Sequence, residues 1–138
     1  MSRLLPDTPG RRCELAARML AIRLDVRRVQ EISAVGALML KELAQQTDQA
    51  KVNAAIAEVR SITREAESLV PAFGLVQRLN QTGALKRAKA DRALAVDTDL
   101  TPVEVQRRQL QRDVANLAWT YQAAATLVLM LDAAIMDL

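Results

Sequence analysis

Residues 101–138 read TPVEVQRRQLQRDVANLAWTYQAAATLVLMLDAAIMDL. Thr101 is a good N-cap, Pro102 suits the first helical position, and Glu104 completes a capping box. From that start Val103, Leu110, Val114, Leu117, Tyr121, Ala124, Val128, Leu131, Ile135 and Leu138 follow one another at helical spacing. From Leu110 onward the steps alternate between four and three, which is a heptad seam. Such a helix runs over about 102–137 and is roughly 54 Å long. Its second half is unusual. Between Leu117 and Met136 the polar residues are Thr120, Gln122, Thr126 and Asp132. At about 100° per residue they scatter round the axis rather than forming a face. A helix apolar all round must be surrounded.

Three surroundings compete. Residues 114–131 are 18 uncharged positions, the lower end of what spans a bilayer. Asn116, Thr120, Gln122 and Thr126 dilute that stretch, Asp132 ends it, and basic residues do not bracket it on both sides. A membrane partner is therefore disfavoured. A central helix in a monomeric bundle needs neighbours on every side, and one chain supplies few. A second copy of the chain supplies the missing walls, as symmetric helical dimers do. Homo-oligomerisation is the favoured reading, with Leu117, Tyr121, Ala124, Val128, Leu131 and Ile135 as the expected interface. Another helical protein is a further possible partner.

The rest of the chain is also helical. It holds 24 Ala and 20 Leu in 138 residues, with only 4 Gly and 4 Pro. That excludes turn-rich β folds and Gly-rich nucleotide-binding domains. Thr8-Pro9 opens a first helix over about 9–46. Its seam is Leu15, Met19, Ile22, Val26, Val29, Ser33, Gly36, Leu40 and Leu43. Ser33 and Gly36 leave room for a close helix, or Gly36 marks a bend. A weak break at Gln45-Gln46-Thr47-Asp48 favours a turn. A second helix follows over about 48–70, with Val52, Ile56, Val59, Ile62, Ala66 and Leu69 on one side, until Pro71 ends or kinks it. Residues 72–95 form a third helical stretch, interrupted near Gly83. Residues 96–100 read as a loop. The fold class is all-α: one domain over 1–138, an elongated helical bundle with two long terminal helices, completed by homo-oligomerisation.

Chemistry-bearing residues are sparse. The chain has no His and a single Cys, so the usual zinc sites, His-based catalysis and an intrachain disulfide are excluded. Cys13 lacks the base that a catalytic thiol needs. Glu65 and Glu67 diverge on a helix. No cofactor is implied, and the chain reads as non-enzymatic. No apolar leader precedes Pro6, which points to the cytoplasm. The net charge is +3, with residues 71–95 at +4 and residues 96–138 at −3. Arg78, Lys86, Arg87, Lys89 and Arg92 could contact phosphates, which makes a nucleic-acid-binding helical protein the chief alternative. The segment lacks interleaved aromatics for stacking on bases, and no helix-turn-helix spacing surrounds it.

Two short patterns resemble known families. Arg11, Arg28, Lys41 and Asp48 loosely resemble the active-site layout of small all-helical chorismate mutases. The Ile-Asp and Arg-Glu elements of those enzymes are missing, and the chain continues beyond that fold. Tyr121-Gln122-Ala123-Ala124-Ala125-Thr126-Leu127-Val128, with Asp132 after it, is similar to the terminal helix of flagellar axial proteins. The Asn-rich N-terminal motif of that family is absent. The likeness implies a weaker alternative, an axial or secretion-apparatus subunit. The main expectation is a self-associating structural, adaptor or regulatory protein of a bacterial or phage assembly.

Overall fold

A computed structural model describes residues 9–43, 45–81 and 101–138. Helices take up 90% of them, in four elements and without strands. They are α1 (Pro9–Leu43), α2 (Gln49–Glu67), α3 (Ala72–Asn80) and α4 (Pro102–Met136). The all-α class expected from the composition is therefore what the chain adopts.

Local chemistry sets the boundaries. After α1 the chain turns at Gln45 and Gln46, whose N–H groups donate to the carbonyls of Glu42 and Leu43. Asp48 then caps α2, its side chain accepting from the Ala50 N–H at 3.0 Å. The Gln45-to-Asp48 stretch is thus a reversal, and α2 runs back along α1. Near Pro71 the Val70–Pro71 peptide is cis, and α3 begins at Ala72. The capping box at the start of α4 is present, with Thr101 and Glu104 bonding each other's backbone N–H groups at 3.3 Å.

α1 and α4, each 35 residues, pack antiparallel. Leu40 and Leu110 share one core cluster, while Val26 and Val128 share the other. α2 and then α3 lie along one side of this pair. The first cluster joins Val26, Val29 and Ile32 of α1 to Ala72 and Val76 of α3 and Ala124, Leu127 and Val128 of α4. The second joins Leu40 and Leu43 to Val52, Val59 and Leu110. Between them sits Gly36. A Cβ there would meet Leu117 Cδ1 at 3.1 Å and Val59 Cγ1 at 3.7 Å. Gly36 is thus a point of close approach between three helices, the first of its two readings.

Two buried hydroxyls are settled locally. Ser33 donates to the Val29 carbonyl at 2.8 Å, and Thr120 to the Asn116 carbonyl at 2.9 Å. Each hydroxyl stays within its own helix, so burial orphans neither of them.

Candidate interaction surface

The expected interface stripe is largely engaged by the chain itself. Ala124 and Val128 are buried in the first cluster, and Leu131 packs against it. Leu117 packs against the second cluster and meets the Gly36 position. Tyr121 and Ile135 are half-buried. This seam turns inward because α1 presents its own heptad seam to it.

The scattered polar residues of α4 find different places. Thr120 is buried in its backbone bond. Asp132 is half-buried and accepts from Arg23 through both carboxylate oxygens, the Nη2 contact being 3.3 Å. Gln122 and Thr126 are exposed.

What remains open is the side of α4 turned about 120° from the buried stripe. Gln111, Ala118, Gln122, Leu129 and Met136 there are exposed, and Ala115 and Ala125 are half-buried. Leu129 is 70% exposed, Met130 54% and Met136 85%. No charged residue occurs from Val114 to Leu131. By length and composition α4 could cross a membrane, and 28% of its most apolar window is buried within the chain. The expected stripe does not include this outer one: Gln111, Ala115, Ala118, Gln122, Ala125 and Leu129 follow the inner seam one residue on, and their signal is composition, small or uncharged side chains where a solvated helix face would carry charge.

α1 adds exposed apolar residues on its outer side, Leu20 and Leu24 at one end and Val35 and Leu38 at the other. Arg27, Arg28 and Glu31 interrupt them. Arg28 bonds Glu65 of α2 at 2.8 Å, and that bond together with the attraction to Glu65 raises the guanidinium pKa.

Two hollows flank the α1–α4 contact. A groove of about 420 Å³ between α2 and α4 has Leu40, Ile56, Val59 and Leu117 at its base, with Arg60, Arg64, Glu67 and Asp113 on its rims. A second, of about 390 Å³, is lined by Leu40, Leu110 and Val114 beside Lys41 and Arg107. Among the described residues no group of three or more His, Cys, Asp or Glu side chains comes together. The groove rims mix both charge signs and frame no nucleophile with a base. Cys13 is exposed.

Of the basic residues read as a phosphate-binding segment, Arg78 is exposed at the end of α3. Lys86, Arg87, Lys89 and Arg92 lie outside the described residues. So do Thr8, the residue read as the first cap, and Gly83 with the helical stretch expected around it. Comparison with family models, curated proteins and solved structures gives no match for this chain.

Proposed function

We propose that the protein is a non-enzymatic, self-associating helical subunit, with a structural, adaptor or regulatory role in a larger assembly. One observation carries this reading: the outer side of α4 is uncharged from Val114 to Leu131 and leaves Leu129 70% exposed and Met136 85% exposed. Exposed apolar side chains are ordinary when single, but a contiguous apolar strip on a soluble surface marks an interaction site. From Val114 to Leu131 the polar groups on that strip are the uncharged Gln122 and Thr126, and Asp132 beyond them is already paired with Arg23, so covering the strip leaves no charge without a partner. The mixed-charge groove rims give no comparable support for catalysis.

Absolute mass by light scattering across a dilution series tests the reading. The expected result is a multiple of 15.2 kDa that falls toward one chain on dilution. A chain that stays monomeric from low to high micromolar concentration overturns it. Tight binding to nucleic acid that weakens steeply with salt, and is lost when Lys86, Arg87, Lys89 and Arg92 become Gln, favours the competing reading instead.

A further inference from the structure

We infer that α4 pairs antiparallel with α4 of a second copy through its outer seam, with Ala118 seated against Leu129 of the other chain. The inference rests on the self-association reading and assigns it a surface, an orientation and a register. Gln111, Ala118, Ala125 and Asp132 occupy one heptad position of the seam, and Ala115, Gln122, Leu129 and Met136 occupy the other. In an antiparallel pair the two classes face each other. The register that sets Ala118 opposite Leu129 also sets Ala125 opposite Gln122, Gln111 opposite Met136, and Asp132, held by Arg23, opposite Ala115. Each small side chain or slender amide then meets a longer one, as interlocking side chains require.

Charge fixes the orientation. The start of the helix carries Arg107, Arg108 and Arg112 against Glu104 and Asp113, a net of +1, and its end carries Asp132 and Asp137. Antiparallel pairing brings the basic start of one helix to the acidic end of the other, at both ends at once. The macrodipoles then also oppose, each positive terminus lying near the other helix's negative one. A parallel pair would set like charges together at both ends. An anionic lipid surface would attract the basic start and repel Asp137, so charge favours a second copy over a bilayer.

Cysteine cross-linking tests the register in the full chain, with Cys13→Ser removing the native thiol. Ala118→Cys and Leu129→Cys are prepared separately, then mixed and oxidised. The inferred register holds these two positions at disulfide distance, whereas two copies of position 118 lie about 16 Å apart along the pair. The expected product is the mixed disulfide, about tenfold over either homodimeric disulfide. A dominant Ala118→Cys homodisulfide overturns the antiparallel orientation. A dimeric mass without either disulfide overturns the assigned surface and leaves self-association standing. A mass of one chain in every sample overturns both, whether or not the chain then binds zwitterionic vesicles.

Discussion

Gly36 shows how one position reports on three helices. Its backbone is ordinary right-handed helix, so glycine's conformational freedom is not what the site uses. What matters is the 3.1 Å that a Cβ would leave to Leu117 Cδ1. Replacing Gly by Ala inside a helix gains about 1 kcal/mol of propensity. The opposing cost is a shift of the Leu117 methyl, which lines the roughly 420 Å³ groove and has space to move into it. Propensity wins: Gly36→Ala should raise the melting temperature by a few degrees, read by circular dichroism. Gly36→Leu has no such escape, because Val59 closes the other side; it should unfold well below the parent chain. A melting temperature lowered by Gly36→Ala means that Leu117 cannot yield. Arg23 and Asp132 are the complementary case. Their side chains remain 31% and 43% exposed, so the pair is screened by solvent. A double-mutant cycle with Arg23→Ala and Asp132→Ala should give a coupling of about 1 kcal/mol or less.

Elements that depend on neighbouring residues were legible in the sequence. Thr101-Pro102-Val103-Glu104 specifies a helix start by short-range hydrogen bonding alone, and both capping bonds are present. Thr101→Ala should cost about 1 kcal/mol, read from denaturant midpoints at unchanged slope. Asp48→Ala should cost a similar amount, about 1 kcal/mol, because Asp48 caps α2 at the reversal. Loss of either cap without effect would mean that tertiary packing alone holds those helix ends. Longer-range features were legible only in part. The heptad seam of α4 identified the residues that face a neighbour, because periodicity fixes the face. It carried no information on whose helix that neighbour is. α1 presents a matching seam from Val26 to Leu43, and an intramolecular partner is already at hand when the chain folds. The sequence shows α4 apolar all round and gives its seam as the expected contact with a second copy. The inner stripe is covered by α1 and α3, and the outer one stays open.

At the scale of the whole molecule, adjacent residues on α4 separate folding from association. Val128 is 6% exposed and belongs to the first core cluster, while Leu129 is 70% exposed on the outer seam. An arginine at Val128 forces a charge into an apolar core to which all four helices contribute. Burying it unpaired would cost several kcal/mol, a large fraction of a domain's stability, so Val128→Arg should abolish the cooperative melt. The same side chain at Leu129 enters solvent in the single chain and meets an apolar surface only in a pair. Leu129→Arg should therefore keep the helical spectrum and melt cooperatively, yet stay at 15.2 kDa where the parent chain associates. Leu131→Arg, on the stripe first expected to meet another copy, belongs with Val128, because Leu131 packs against the chain's own core. It should lower the melting temperature before it changes the mass of the folded fraction. If Leu129→Arg associates as the parent chain does, the outer seam is not the contact, however apolar it is. If Val128→Arg instead stays folded and loses only its association, the inward seam is exchanged between copies rather than closed within one, and the packing of α4 on its own α1 is what must be revised.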